Sequence, residues 1–238
     1  MTNLEAIARR ISRRSYLGTP IAPEQVNALR ALIDGCNTKS GLHIQFIEDG
    51  SKAFKGLSKS YGMFSGVRSL LALVGKKADA HLEEKLGYYG ELLVLEATKL
   101  GLGTCWVGGT FDAKSCPCEL GTDERLACVI PIGNVPSDTT RKEKTILGLV
   151  HRKARPLEYF YTADTALPDW FIEGVKAVQR APSAINRQPV HLYYKDGVAT
   201  ATLRGDGNPI DLGIAKLHFE LAAGGSFAMG NNAIFTKA

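Results

Sequence analysis

Two helical patterns recur in the same order along this chain, and their repetition constrains the fold more than any other feature of the sequence. A helical pattern at residues 24–35 precedes the segment HIQFIEDG, and a similar pattern at 170–180 precedes HLYYKDG. A longer apolar helix follows each time: GELLVLEATKLG begins at Gly90, and GIAKLHFELAAG begins at Gly213. A repeat of this length indicates duplication and fusion rather than a solenoid of small units. Two copies of one unit are expected to pack about a pseudo-twofold axis, as the subunits of a dimer do.

We assign residues 1–160 to the first copy and residues 161–238 to a shortened second copy, which lacks the segment between the strand and the long helix. The helix that begins at residue 24 is expected to stop at Gly35. The polar, basic segment 137–144 is expected to be an exposed loop. Alternating or continuous apolar runs predict strands at residues 43–47, 69–74, 127–132 and 191–194.

Charge and cysteine usage exclude several classes of protein. The net charge of +5 is mild and its basic residues are scattered, which argues against a nucleic-acid-binding arm. The five cysteines include Cys116-Pro-Cys118, which has neither redox CxxC spacing nor the second pair that a zinc site needs. The N-terminal segment lacks the apolar core of a signal peptide, and no run approaches the roughly twenty apolar residues of a membrane span. We therefore expect a cytoplasmic protein with no metal site, no nucleic-acid partner and no membrane partner.

A polar turn with the sequence APSAINRQP, residues 181–189, lies between a helix and a strand of the second copy. Pro182 cannot continue a helix, and Ser183 and Asn186 favour turns. The turn therefore presents a hydroxyl, a carboxamide and free backbone N–H groups in a small space, as a polar ligand requires. A helix-ending loop that binds nothing is the alternative interpretation.

Two basic clusters and one glycine-rich segment are further candidates for a binding site. Arg13-Arg14-Ser15 combines guanidinium groups and a hydroxyl, which together can hold a phosphate, and a second cluster reads RKARP at 152–156. The segment GLGTCWVGG at 101–109 would let the backbone approach a flat ligand closely. The alternatives are a solvated helix end for the arginines and a helix cap followed by a strand for the glycines.

Taken together with the strand CVIPIG, these motifs resemble the nitroreductase family of flavin enzymes over most of the chain. The resemblance implies an α+β fold with a central, largely antiparallel or mixed sheet flanked by helices, and FMN bound between two intertwined subunits. In ordinary members the APSxxNxQP turn follows soon after RRS, where this chain has the degenerate segment CNTKSGL at 36–42. The chain is therefore similar to the fused, single-chain nitroreductases. We expect a monomer that acts as an internal pseudo-dimer and binds one FMN.

The resemblance also assigns the phosphate end of FMN to basic residues of this chain. Arg13 and Ser15 are expected to hold the ribityl-phosphate end, and Arg14 is a further candidate for the same role. Lys153 and Arg155 are expected to pair with the phosphate, because a dianion suits clustered cations.

The flavin ring is assigned to glycines of the first copy and to the turn of the second. Gly108 and Gly109 are expected along the dimethylisoalloxazine edge, with a backbone N–H bonded to flavin N5. Pro182, Ser183 and Asn186 are expected to close the site from the other half of the chain.

The implied activity is that of an FMN-dependent NAD(P)H oxidoreductase, which passes hydride by a ping-pong cycle to a nitro, quinone or similar small-molecule acceptor. The flavin N5 carries this chemistry, so no catalytic side chain is expected. Leu17 stands where the family usually has a basic residue that stabilises the reduced flavin. Together with the degenerate first turn, Leu17 leaves open an alternative, a flavin-binding or storage module or a relic without turnover. A purely structural duplicated scaffold is a third possibility.

Overall fold

The computed structural model describes residues 1–55, 63–150 and 155–238. Lys153 lies outside the described residues. The described helices are α1 (Asn3–Arg9), α2 (Pro23–Ser40), α3 (Leu82–Lys99), α4 (Arg141–Val150), α5 (Asp169–Gln179) and α6 (Pro209–Ala223). The described strands are β1 (Gln45–Ile47), β2 (Ser69–Lys76), β3 (Gly103–Thr104), β4 (Glu124–Gly133), β5 (Tyr161–Ala163), β6 (Val190–Lys195), β7 (Val198–Leu203), β8 (Gly225–Phe227) and β9 (Ala233–Lys237). This α+β composition confirms the predicted fold class, and the strands overlap all four predicted ones.

The chain divides into two compact units, which are described separately. The N-terminal unit comprises Arg9–Leu82 and Leu93–Leu149. The C-terminal unit comprises Met1–Ala8, Glu83–Leu92 and Val150–Ala238. No helix in the described part of the chain is long and apolar enough to cross a membrane.

The N-terminal unit contains a four-stranded antiparallel sheet in the order β1-β2-β4-β3. Its centre is β2, whose residues from Ser69 to Gly75 are all buried. This burial explains why the strand reads as a continuous apolar run, SLLALVG, rather than as an alternating one. The predicted central strand is therefore confirmed.

The C-terminal unit contains a five-stranded mixed sheet in the order β5-β6-β7-β9-β8. Strand β5 pairs with β6 in parallel, and the other neighbours are antiparallel. The buried core on this sheet is aromatic, with Phe171 of α5 and Phe219 of α6 at 0% exposure and 5.6 Å between their ring centroids. Helix α6 is buried on nearly all sides, which accounts for its apolar sequence.

The first part of α3 and the start of α6 approach each other at two glycines of the C-terminal unit. A Cβ atom on Gly87 would lie 2.1 Å from the Ile210 carbonyl oxygen, and one on Gly213 would lie 1.9 Å from the Glu84 carbonyl oxygen. The contacts are reciprocal: Gly87 faces Ile210, three residues before Gly213, and Gly213 faces Glu84, three residues before Gly87. Such reciprocity is what a duplicated helix gives when its copies pack about a local twofold axis. It matches Gly213 with Gly87, one helical turn before the Gly90 that the sequence repeat suggested.

Two local predictions were wrong. Helix α2 does not stop at Gly35 but continues to Ser40, where Gly41 adopts φ 71° and donates its N–H to the Asn37 carbonyl. The apolar spacing continues past Gly35 to the buried Cys36, and a single glycine costs only about 1 kcal/mol in a helix. Most of the degenerate first turn, CNTKSGL, is therefore helical. Segment 137–144, expected to be an exposed loop, instead contains the start of α4 and the buried Glu143.

Candidate functional site

The Arg13-Arg14-Ser15 segment runs beside the short strand β3 in the N-terminal unit. The Arg13 N–H donates to the Thr104 carbonyl at 2.8 Å. Gly103 makes this approach possible, because a Cβ there would lie 2.3 Å from a Val135 methyl group and 2.9 Å from Arg13 Cγ. In the segment GLGTCWVGG, Gly103 is thus a glycine that the packing of the protein itself requires.

The side chain of Arg13 is buried and bonded within the protein. Only 7% of the residue is exposed. Its Nε donates to Glu143 Oε1 at 3.1 Å, and its Nη2 donates to the carbonyls of Pro136 and Asp138 at 2.9 and 3.2 Å. Arg13 therefore links its own segment to residues 136–143, which lead into α4.

Glu143 accepts hydrogen bonds from backbone N–H groups of the same segment. Its Oε1 accepts the N–H groups of Arg14 at 2.7 Å and of Ser15 at 3.1 Å, while its Oε2 accepts the Thr140 N–H at 2.8 Å. Burial opposes ionisation, but the N–H groups of Arg14, Thr140 and Ser15 and the Arg13 side chain together lower the pKa of Glu143 to about 2. The carboxylate is therefore ionised throughout the physiological pH range. The sequence did not reveal Glu143, although Thr140 and Glu143 have the spacing of a capping box.

Arg14 differs from Arg13 because part of its guanidinium lacks a partner. Its Nη1 is buried and has no hydrogen-bond partner among the described residues. Its charge acts on the neighbouring Cys105, whose thiol pKa is raised by burial, an effect that Arg14 opposes. An unsatisfied buried donor is unfavourable, and an anionic ligand atom would satisfy it.

Gly108 and Gly109 lie in open space on the surface of the N-terminal unit. Both are exposed, and a Cβ on either would meet no atom within 4 Å. They follow Val107, which is buried and exchanges backbone hydrogen bonds with Val129 of β4 at 3.0 Å. The protein itself does not require glycine here, which leaves room for a ligand beside the backbone.

The APSAINRQP turn of the C-terminal unit has a strained backbone. Ile185, Asn186 and Gln188 adopt φ values of 45°, 54° and 52°, although none of them is a glycine. This left-handed conformation costs roughly 1–2 kcal/mol per residue. The turn is fixed by a bond from the Gln188 N–H to Ser183 Oγ at 2.8 Å and from the Ala184 N–H to Asp211 Oδ1 at 3.2 Å. Backbone strain held in this way is common at binding sites.

A small pocket with a volume of about 10 Å³ lies beneath this turn. Its lining is mostly apolar and includes Phe160, Val178, Pro182, Ser183, Asp211 and Ala215. Burial raises the pKa of Asp211 to about 6, and the Ala184 N–H and the charge of Arg187 oppose this rise. Sequence reasoning missed Asp211, because an acidic residue in the first turn of a helix is ordinary and its burial is not visible in the sequence.

Arg155 lies in the C-terminal unit and stacks on an aromatic ring. Its guanidinium carbon is 4.0 Å from the centroid of Tyr159, and that of Arg204 is 5.3 Å from the same centroid. No carboxylate of the described residues forms an ion pair with either arginine. Arg204 also donates to the Nδ1 of the buried His191, an arrangement that fixes the direction of its guanidinium.

The predicted site residues fall into two groups, one in each unit. Arg13, Arg14 and Ser15 are brought together on the carboxylate of Glu143, and Gly108 and Gly109 belong to the same unit. The second group shares the C-terminal unit and consists of Arg155, Pro182, Ser183 and Asn186. Among the described residues, no group of histidine, cysteine, aspartate or glutamate side chains could hold a metal ion.

Comparisons with known proteins place the chain among nitroreductases. Residues 3–223 match the model of the family described as putative TM nitroreductase. A crystal structure of a putative nitroreductase from Thermotoga maritima is 23% identical, with coverage of 99% of this chain and 92% of that chain and a TM-score of 0.66. This likeness confirms the predicted fold.

Shorter proteins match only part of the chain. A nitroreductase with bound FMN from Bacteroides fragilis is 16% identical, with coverage of 58% of this chain and 94% of that chain and a TM-score of 0.42. A putative NADH oxidase from Clostridium acetobutylicum is 22% identical, with coverage of 56% and 89% and a TM-score of 0.44. A search of curated proteins gave no match.

Proposed function

Because the chain belongs to the family of putative TM nitroreductases, we propose that it is an FMN-dependent oxidoreductase that takes hydride from NAD(P)H and delivers it to a small acceptor. The family makes the chain an oxidoreductase of nitroreductase type. The finer proposal is a ping-pong cycle with a nitro compound, a quinone or a similar acceptor. When bound, FMN supplies the hydride chemistry through its N5 atom, and the protein supplies binding, orientation and electrostatics.

The observation that carries this proposal is the unpartnered donor of Arg14. A buried guanidinium N–H without a partner costs roughly 1–3 kcal/mol, and a phosphate or other anionic group of a flavin nucleotide would satisfy it. Gly108 and Gly109 lie in the same unit and leave open space beside the backbone. The residues present therefore fit the cofactor.

The remaining assignments are proposals with support of different kinds. Arg13 and Ser15 would hold the backbone of the segment in place, since their side chains bond to Glu143 and Thr140. Lys153 and Arg155 would provide positive charge for the phosphate, as the resemblance implies.

The turn would complete the cofactor contacts through three residues. Pro182 and Ser183 line its pocket, and Asn186 is held in a left-handed conformation with no side-chain hydrogen bond among the described residues. Its carboxamide is therefore available to a ligand. Asn186→Ala is expected to raise the dissociation constant of FMN about tenfold, because one or two buried hydrogen bonds would be lost. Quenching of flavin fluorescence measures this constant. Binding as tight as wild type would remove Asn186 from the site.

The visible spectrum of the purified protein tests the function as a whole. We expect a yellow protein that NADH or NADPH bleaches in the absence of oxygen, with one FMN per chain. A colourless protein whose spectrum does not change on addition of FMN would refute the proposal.

The alternative is a flavin-binding module without turnover, which two observations favour. The Nε and Nη2 of Arg13 donate to acceptors within the protein. Leu17, at the position of the family's basic residue, is 55% exposed and has no charge to stabilise a reduced flavin. A yellow protein that neither NADH nor NADPH can bleach would establish this alternative. The cytoplasmic location and the monomeric state remain predictions.

A further inference from the structure

Glu143 accepts the backbone N–H groups of Arg14 and Ser15, in the segment to which the resemblance assigns the phosphate of FMN. We propose that Glu143 is a positioning residue of the cofactor site: its carboxylate accepts hydrogen bonds from the Nε of Arg13 and the backbone N–H groups of Arg14 and Ser15, and so orients Arg14, whose guanidinium binds the anionic group of a flavin nucleotide. This inference rests on the proposed function and assigns Arg14 a direct contact with the ligand.

Both carboxylate oxygens of Glu143 are occupied by hydrogen bonds within the protein. The residue is 0% exposed, and each of its oxygens accepts more than one bond. Oε1 accepts from Arg13 Nε, Arg14 N and Ser15 N, while Oε2 accepts from the N–H and the hydroxyl of Thr140 at 2.8 and 3.2 Å. A phosphate could reach these donors only by displacing a buried carboxylate, or by lying against it and being repelled. The Arg13 Nε and the Ser15 N–H are therefore closed to a ligand.

The backbone of Arg14 is oriented by the same carboxylate. Its backbone N–H is fixed by the shortest of the three bonds to Glu143 Oε1, at 2.7 Å. The same carboxylate that binds the Arg13 Nε thus orients the backbone from which the Arg14 side chain extends. That side chain ends in a buried Nη1 with no partner in the described part of the chain. Within this segment, Arg14 alone combines a positive charge with an unsatisfied buried donor.

The Glu143 carboxylate is itself held in place by the N-terminal cap of α4. Glu143 belongs to the first turn of α4, and its own N–H donates to Thr140 Oγ1 at 3.2 Å in a capping box. Ser15 Oγ lies 3.0 Å from the same Thr140 hydroxyl. The start of α4 and the arginine segment are therefore bonded as one assembly, and the position of Arg14 depends on α4 being folded.

The decisive experiment compares single variants for two properties of the protein: the melting temperature without flavin, and the dissociation constants of FMN and riboflavin from fluorescence quenching. Arg14→Gln removes an unsatisfied donor, so its flavin-free melting temperature is expected to stay level or rise, while its FMN dissociation constant rises about tenfold or more. Stability and affinity thus move in opposite directions, which a merely structural role for Arg14 would not produce. The matched control is Glu48→Gln, which removes an exposed carboxylate paired with Arg30 in the same unit and should change neither property.

A double-mutant cycle tests the positioning role of Glu143. Glu143→Gln and Arg13→Gln are each expected to lower the melting temperature and weaken FMN binding, because each leaves the other buried charge unpaired. The double variant is expected to recover most of both losses and to keep the preference for FMN over riboflavin. If a variant at Glu143 does not fold, the result for Arg14→Gln still decides the question.

Two outcomes overturn this inference while leaving the proposed function in place. One is wild-type FMN affinity in Arg14→Gln. The other is a loss of the preference for FMN over riboflavin in Arg13→Gln that is equal with and without the Glu143 substitution. A wild-type protein that binds neither flavin refutes the proposed function itself.

Discussion

Substitution of Gly213 by alanine tests the close approach of α3 and α6 most directly. The added Cβ would lie 1.9 Å from the Glu84 carbonyl oxygen and 2.7 Å from the Tyr88 nitrogen, and both of these atoms belong to helix backbone. Since real contacts of a Cβ begin near 3 Å, the helices would have to separate by about 1 Å. Overpacking of this kind costs roughly 1–3 kcal/mol, and backbone obstacles place the cost at the upper end. The better helix propensity of alanine returns only about 1 kcal/mol.

The expected net loss is therefore about 2 kcal/mol of unfolding free energy. In a chain of 238 residues this corresponds to a fall in melting temperature of roughly 4–8 °C, measured by calorimetry or circular dichroism. Gly35→Ala is the matched control, because Gly35 lies within α2 and a Cβ there meets no atom within 4 Å. It should raise the stability by about 0.5–1 kcal/mol. The reasoning is refuted if both variants shift the melting temperature in the same direction.

Other substitutions test the pH dependence and the strain of the turn. Burial raises the folded-state pKa of Asp211 from 3.8 to about 6. The stability that this group contributes is therefore complete below pH 4 and is lost as the pH rises through 6, by up to roughly 3 kcal/mol. Asp211→Asn should remove this pH dependence, measured by urea unfolding between pH 4.5 and 8. Glu143 has the opposite effect on the pH dependence of stability, because its pKa is lowered to about 2. Its contribution to the unfolding free energy is present above pH 4.5 and is lost as the pH falls towards 2. Glu143→Gln should therefore weaken the loss of stability at acidic pH in the same urea measurements. Ile185→Gly should raise the melting temperature by a few degrees, because a β-branched residue at φ 45° is strained and glycine is not, and a fall in melting temperature would contradict this.

The parts of the fold that could be predicted from the sequence are those with a strong local signal. The run 69–74 is continuously apolar and ends at a glycine, and it forms the buried centre of a sheet. Pro182 predicts the end of a helix, and α5 indeed ends at Gln179. No comparable stop exists in segment 36–40, so α2 continues through it. A glycine alone, such as Gly35, was too weak a signal.

Long-range contacts explain why the chemistry of the candidate site could be predicted only in part. The RRS motif identified the arginines but not the carboxylate that holds them, because Glu143 lies 130 residues away from Arg13 in a polar, basic stretch. Its burial depends on the packing of α4 against this segment, which no local pattern records. Similarly, nothing local distinguishes Arg13, whose Nε bonds to Glu143, from Arg14, whose buried Nη1 has no partner among the described residues. The different environments of these two adjacent, identical residues arise from tertiary structure.

The crossing of α3 and α6 shows how far a fused chain can depart from a symmetric dimer. Its glycines are reciprocal, but its charges are not: the buried Lys216 of α6 donates to the buried Glu84 of α3. Under the same local symmetry, Glu84 corresponds to Ile210 and Lys216 corresponds to Gly90. A pair of identical α3 helices would therefore bury Glu84 without a cation, and a pair of identical α6 helices would bury Lys216 without an anion, at roughly 3–5 kcal/mol for each uncompensated charge. The two helices are suited to each other and not to copies of themselves. The pairing therefore disfavours contacts between two α3 helices or between two α6 helices.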